Sequence, residues 1–309
     1  MSVPVEISTS SSPTAQADRT IQIGLITVNY KSAEATARFL GDILRQDRSH
    51  CRLRVVVADN SATMDDLEPV RASFRDAEGV VFLPMPSNPG YFGAAHRAFQ
   101  QIWPDGPPDW LIVANPDIRL PQEGFFNRLA QLSPSTGVVL APRITSGRTG
   151  LDQNPYRRSR PTRFRMSLFR LIPRVWLLHW MLRAQCHVRH RLRMSTKRIV
   201  TPSTPNPEVI YAPHGSFVVF SREYFQRGNA LNAGSFLFGE EIFVAESCRR
   251  AGLPVVWVPS LQVVHDEHVV VKVGAMTRKY HIEAADYLYE EFFSPATHLR
   301  GKIRPQLWD

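Results

Sequence analysis

Asp117 closes the run Trp-Leu-Ile-Val-Ala-Asn-Pro-Asp, an apolar strand that begins at Trp110 and stops abruptly on a carboxylate. Two earlier runs share the design: residues 53–58 lead into Asp59-Asn60-Ser61, and residues 21–28 lead into Asn29-Tyr30-Lys31-Ser32. Polar residues that follow buried parallel strands collect on the carboxyl edge of the sheet, where open α/β proteins take their ligands. A carboxylate on that edge can hold a divalent cation, Mg2+ or Mn2+, because hard cations use oxygen ligands and complete their shell with substrate phosphates. The pattern is that of an enzyme with a loaded rim.

Two absences narrow what the rim binds. A dinucleotide fold carries Gly-x-Gly-x-x-Gly after its first strand so that backbone amides can approach a pyrophosphate; here Asn29-Tyr30-Lys31-Ser32-Ala33 stands in that place. The Gly-x4-Gly-Lys-Ser/Thr loop of P-loop NTPases is missing as well. The phosphates of a bound nucleotide would then need another counter-charge, and a cation on Asp117 supplies it.

A regular order of elements must position these residues. After the first strand, Ser32 is expected to cap a helix reaching about residue 47, with Glu34 in its first turn. Strand 53–58, helix 64–75, strand 80–84, helix 92–102, strand 110–114, helix 121–132 and strand 137–141 follow. This alternation implies right-handed crossovers and a mainly parallel, Rossmann-like sheet flanked by helices. Farther along, residues 209–221 read as one apolar strand and 240–251 as a helix stopped by Gly252. Residues 254–259 read as a short strand and 275–292 as a last amphipathic helix. No internal repeat is present.

The 309 residues, 43% of them apolar, suffice for one large core with an appended segment. Residues 1–20, rich in Ser, Thr and Ala without an apolar run, read as a disordered leader rather than a secretory signal. No stretch of about 18 uncharged apolar residues offers a spanning helix. Cys51, Cys186 and Cys248 lack metal-type spacing and their odd number favours a reducing compartment, so a cytoplasmic location is expected.

The net charge of +9 is concentrated in one segment: residues 153–207 hold thirteen Arg or Lys and no acid, which leaves the remainder at −4. Arginines there interleave with Phe169, Leu171, Val175, Trp176, Trp180 and Leu182, a composition suited to an anionic membrane surface. An Arg-rich helical insertion packed on its own domain is the other reading. Nucleic acid is disfavoured, because no reader motif accompanies the basic residues.

Five strings occur in an order that resembles family 2 glycosyltransferases, particularly their rhamnosyltransferase-like branch. They are Thr27-Val28-Asn29-Tyr30, Asp59-Asn60-Ser61, Asn88-Pro89-Gly90-Tyr91-Phe92-Gly93-Ala94-Ala95, Asn115-Pro116-Asp117 and Phe238-Gly239-Glu240-Glu241. The resemblance covers residues 21–268 apart from the basic segment and implies a GT-A fold with inverting transfer from a nucleoside-diphosphate sugar. It implies a nucleotide-sugar-binding half at 21–152, the basic insertion at 153–207, an acceptor and catalytic half at 208–292 and a tail at 293–309.

Residue by residue, the resemblance assigns Val28, Asn29, Tyr30 and Asp59 to the base and ribose, and Asn88, Gly90, Tyr91 and Gly93 to the donor. Asn115 takes the first position of the family's Asp-x-Asp element and Asp117 the last, so one charged metal ligand remains where many relatives have two. His265 matches a position where the fold often supplies a histidine to the metal. Glu240 and Glu241 match the Glu-Asp pair that carries the base, with Glu in the second position. Adjacent carboxylates disfavour each other's charged form and so raise basicity, but the choice between Glu240 and Glu241 stays open. His214 and Gly215 are expected at the acceptor floor. The acceptor is a saccharide, a lipid-linked molecule or a small metabolite. A nucleotidyltransferase and a non-catalytic sugar- or membrane-binding relative are the alternatives.

Overall fold

A computed structural model of the chain describes residues 19–61, 66–134, 138–174, 206–267 and 275–295. Most of the expected leader, most of the tail, Cys186, Trp176, Trp180 and Arg183 lie outside the described residues. Strands β1 (Ile21–Asn29), β2 (Cys51–Asp59), β3 (Val80–Pro84) and β4 (Trp110–Ala114) alternate with helices α1 (Ala33–Arg45), α2 (Glu68–Ser73) and α3 (Tyr91–Ile102). There follow β5 (Ile118–Arg119), α4 (Phe125–Ala130), β6 (Val139–Ser146), α5 (Arg163–Leu171), β7 (Glu208–Ile210) and β8 (Phe217–Ser221). Helix α6 (Arg222–Gln226), helix α7 (Glu240–Ala251), strand β9 (Val255–His265) and helix α8 (Ala275–Leu288) complete the order.

The sheet runs β3-β2-β1-β4-β8-β6-β9-β5, with β7 paired to β9. Strands β3, β2, β1 and β4 are parallel, as the βα alternation predicts. The second half departs from that expectation: β8 runs antiparallel between β4 and β6, and β5 and β7 pair antiparallel with β9. The stretch read as one strand at 209–221 divides into β7 and β8 around Ala212-Pro213-His214-Gly215-Ser216. Proline lacks an amide hydrogen and cannot donate to a ladder, so the run breaks there.

Central strands are buried on both faces. Every residue of β4 and β8 is buried, which explains their unbroken apolar composition. One face packs Phe39, Ile43, Phe125 and Phe126 of α1 and α4 against Leu25, Val55 and Ile112. The other packs Phe92, Ala95 and Ala98 of α3 and Val244 and Cys248 of α7 against Ile26, Val113 and Phe220. Helix α7 has the predicted bounds, and Gly252 stops it in the left-handed conformation at φ 67°. Helices α2 and α4 are shorter than their patterns suggested, and β9 extends to His265 rather than ending at residue 259. Ser32 does not cap α1 with its side chain; its hydroxyl donates instead to Asn29 Oδ1 at 3.0 Å.

Because β8 is reversed, the residues before it meet the residues after β4. Phe217 pairs with Ala114, and Asn115 N–H donates to the Ser216 carbonyl at 2.9 Å. Strand β9 pairs in register with β6 up to Val258, then skips to Gln262 opposite Arg143, and ends with His265 opposite Ile118. Asp117, His214 and His265 thereby arrive on one edge from three separate strands.

Candidate active site

Asn29 and Asp59 end neighbouring parallel strands and are fully buried. Asn29 Nδ2 donates to Asp59 Oδ1 at 2.8 Å, while its Oδ1 accepts from Ser32 Oγ and from Thr36 Oγ1 at 2.9 Å. These bonds occupy the Asn29 side chain in tying β1, β2 and α1 together. Asp59 Oδ1 also accepts from Ser61 N–H at 3.1 Å, while its Oδ2 is buried with no partner. An orphaned carboxylate oxygen in this position is an acceptor in want of a ligand hydroxyl or water. Val28 is buried behind the rim, and Tyr30 is exposed on it.

The Asn88-to-Gly93 string forms the turn into α3. Asn88 Oδ1 accepts from Gly90 N–H at 3.0 Å, and Asn60 Nδ2 donates to the Gly90 carbonyl at 3.0 Å. Gly90 adopts φ 83°, and a Cβ there would lie 1.9 Å from the Phe236 carbonyl oxygen. Only glycine permits that approach. Gly93 leaves room for Pro89, 3.1 Å from where its Cβ would stand. Tyr91 reaches across the site, its hydroxyl donating to the Gly215 carbonyl at 3.2 Å.

Asp117 is buried at the rim with Oδ1 lacking a hydrogen-bond partner, yet that atom lies 3.3 Å from His265 Nε2. The far side of the imidazole explains the pairing. Gln153 Nε2 donates to Glu267 Oε1, which orients the amide so that Gln153 Oε1 faces His265 Nδ1 at 2.9 Å. An amide oxygen only accepts, so Nδ1 carries the hydrogen and a neutral imidazole would present a lone pair at Nε2. Two acceptors then face each other, an arrangement that a cation between them would suit. The donor set of one carboxylate and one imidazole fits a divalent ion. Among the described residues no group of three or more His, Cys, Asp or Glu side chains converges on one point, so substrate phosphate oxygens and water are natural further ligands.

His214 stands beside this pair, its ring 5.7 Å from that of His265. Its Nδ1 accepts from Ser216 N–H at 3.2 Å, and its own backbone amide donates to Asn154 Oδ1 at 2.7 Å. Burial, reinforced by His265, pushes its pKa down to about 4, so it is neutral at physiological pH. Gly215 next to it lets the Glu241 carboxylate approach, with Oε1 3.2 Å from where a Cβ would stand.

Glu240 and Glu241 open α7 after Gly239, which adopts φ 86°. Burial and the neighbouring Glu241 push the Glu240 carboxyl up to about 8. Burial also raises Glu241, against the backbone amides of Glu241 and Gly215 and the Arg157 charge, which favour its anion. The Tyr91 hydroxyl is held well above its usual range by burial and by Glu240, Asp117 and Glu241. Tyr156 is raised by Glu241 first and by burial second. An acid pair with raised affinity for protons, beside an Asp–His pair wanting a cation, can accept a proton from an attacking hydroxyl while the charge of a departing phosphate is neutralised.

Motif reading did not find Gln153, Asn154, Tyr156 or Arg157. They occupy the first residues of the segment read as a basic insertion, and neither their types nor their spacing signals a role. Backbone bonds fix them: Arg157 N–H donates to the Ala212 carbonyl at 3.2 Å, and Ala212 N–H returns the bond at 3.0 Å.

This mixed sheet, with a carboxylate after its fourth strand and an acid pair opening a late helix, defines a glycosyltransferase of GT-A architecture. A solved structure described as GalNAc-T7 with UDP, GalNAc and Mn2+ superposes with a TM-score of 0.57 at 14% identity, over 81% of this chain and 44% of that one. This chain thus spans under half the length of that protein, and the likeness is one of fold. Residues 21–280 match the description "Glycosyltransferase like family 2", and the chain belongs to that family. It is also 26% identical over 255 residues, 78% of this chain and 75% of the relative, to an N-acetylglucosaminyl-diphospho-decaprenol L-rhamnosyltransferase of Mycobacterium tuberculosis. Family membership sets aside the nucleotidyltransferase alternative.

Proposed function

We propose that the protein transfers a sugar, with inversion, from a nucleoside-diphosphate donor to an acceptor hydroxyl in the assembly of a glycan, glycolipid or surface polysaccharide. Rhamnose is the sugar favoured, on the strength of the rhamnosyltransferase relative. That relative's name also specifies a polyprenyl-diphosphate-linked acceptor, and a lipid-linked saccharide is the acceptor proposed here. The observation that carries the reading is the buried, unpartnered Asp117 Oδ1 facing His265 Nε2 across 3.3 Å, on the same edge as the acid pair of α7.

Asp117 and His265 would hold a divalent cation, Mg2+ or Mn2+, that stabilises the leaving diphosphate as a Lewis acid. Gln153 keeps the His265 ring turned toward that point. Asp59 would accept from the donor's nucleoside, and the Asn88–Gly93 turn allows its backbone close. Glu241, against Gly215 on the acceptor side, takes the proton of the attacking hydroxyl as that oxygen displaces the diphosphate from the anomeric carbon through an oxocarbenium-like state. Glu240 is more deeply buried than Glu241, and its carboxyl is raised by that burial and by the neighbouring Glu241.

Titrating the protein with uridine-, thymidine- and guanosine-diphosphate sugars tests this, with melting temperature recorded with and without Mn2+. One donor class should stabilise the wild type in a Mn2+-dependent manner, and Asp117→Asn should abolish the Mn2+ dependence while leaving the ligand-free melting temperature nearly unchanged. Full transfer activity in excess chelator would overturn the metal's role.

A further inference from the structure

The opposite edge of the sheet carries a second concavity. A cavity of about 790 Å3 opens at the amino ends of β1, β2 and β3, within the range of about 300–1,000 Å3 usual for small-molecule sites. Its charged lining consists of Arg48, Arg52, Arg54 and Arg222 against Glu78. Arg52 and Arg54 alternate with the buried Cys51 and Leu53 along β2, so the period of the strand sets both arginines on one face. In the same register β1 places Gly24, and the Trp103 indole fills the space a side chain would take, 2.6 Å from the position of a Cβ. Trp103 thereby forms an apolar wall beside the guanidinium groups.

Charge is left unbalanced there. Arg48, Arg52 and Arg54 have no ion-pair partner among the described residues, whereas fourteen other arginines, Arg222 included, do. Arg222 gives Nη2 to Asp109 at 3.0 Å. Guanidinium groups that line one cavity repel one another and favour an anionic ligand. Phosphate oxygens answer that requirement, since the planar guanidinium fork matches them with paired, charge-assisted hydrogen bonds.

We propose that this cavity is a second binding site, distinct from the transfer site, for a molecule carrying one or two phosphate groups, its organic portion packed against Trp103. The phosphates belong either to a soluble phosphorylated metabolite or to a lipid headgroup, and the two sources separate experimentally. Calorimetric titration with inorganic pyrophosphate, without divalent cation and in the Asp117→Asn background, reads the soluble source. R52E/R54E should weaken binding by about tenfold or more, the scale of losing charge-assisted phosphate contacts, while R38E/R75E, the same charge change elsewhere, should not. Flotation with phosphatidylglycerol vesicles reads the headgroup source by the same pair of variants. R52Q/R54Q, which keeps polar side chains on the strand, guards against a folding defect and should reproduce the loss at an unchanged melting temperature. Binding that is lost equally in R38E/R75E, or retained in R52E/R54E in both assays, overturns the site.

Discussion

Glu240 and Glu241 differ by one position in sequence but face different surroundings, and the difference is testable. Glu241→Gln should keep donor binding and lose roughly 10²–10⁴-fold in transfer rate, the usual weight of a general base; an unimpaired Glu241→Gln beside a crippled Glu240→Gln would exchange their roles. The wild-type rate should rise with pH as the pair loses its protons, because the base acts in its ionised form. Stability runs the other way. The folded chain holds the Glu240 proton up to about 8, whereas the unfolded chain releases it in the ordinary carboxylate range. Between those limits the folded state binds more protons and its stability falls as pH rises. Glu240→Gln should therefore raise the melting temperature relative to wild type at pH 8 and lose that advantage at pH 4, and a difference that ignores pH would contradict the burial argument.

At the scale of elements, the turn into α3 is locked from two sides, and Gly90 is where this can be measured. Its φ of 83° and the 1.9 Å approach to the Phe236 carbonyl make Gly90→Ala both strained and overpacked, at a combined cost of about 2 kcal/mol or more. Gly124 has φ 69° with nothing within 4 Å of a Cβ, so Gly124→Ala isolates the strain alone and denaturant melts should show it as the milder variant. Equal effects at the two positions would mean that the 236–239 loop simply moves away. The elements themselves were unequally legible in the sequence. Helix α7 could be read because its acidic first turn and Gly252 are local signals, and β1 to β4 because buried parallel strands are continuous apolar runs. The reversal of β8 could not, since an apolar run of five residues carries no direction. Asn29 read as a donor contact, and its side chain proves committed to Asp59, Ser32 and Thr36. Gln153 and Asn154 were invisible because their positions depend on partners about 60 to 110 residues away.

For the molecule as a whole, charge distribution and exposed apolar surface point the same way. No helix among the described residues is long and apolar enough to cross a membrane. Helix α5 exposes Phe164, Leu168 and Leu171 at helical spacing, together with Phe169, beside Arg163 and Arg165, which form no ion pair among the described residues. Arg170 and Arg174 are committed inward, to Asp286 and, for Arg170, Glu290. The packed reading thus holds for one side of α5, and the membrane-facing reading would fall on its other, exposed side. With anionic vesicles at low salt the protein should float, and Phe164→Ser/Leu168→Ser with Arg163→Glu/Arg165→Glu should reduce flotation, whereas Arg170→Gln should lower the melting temperature first. Flotation indifferent to lipid charge would leave α5 as a contact for another protein surface. The two backbone bonds between Arg157 and Ala212 have one more consequence. They pin the chain where it leaves the rim and where it returns, so α5 and β7 stand between fixed feet. Because closing a longer or shorter connection between fixed feet changes free energy only logarithmically with length, the length and composition of residues 175–205 can change while the transfer machinery stays put. New acceptors could be reached in evolution, or by grafting, through replacement of residues 175–205, while Arg160, Met166 and Ile210 keep their places against the core.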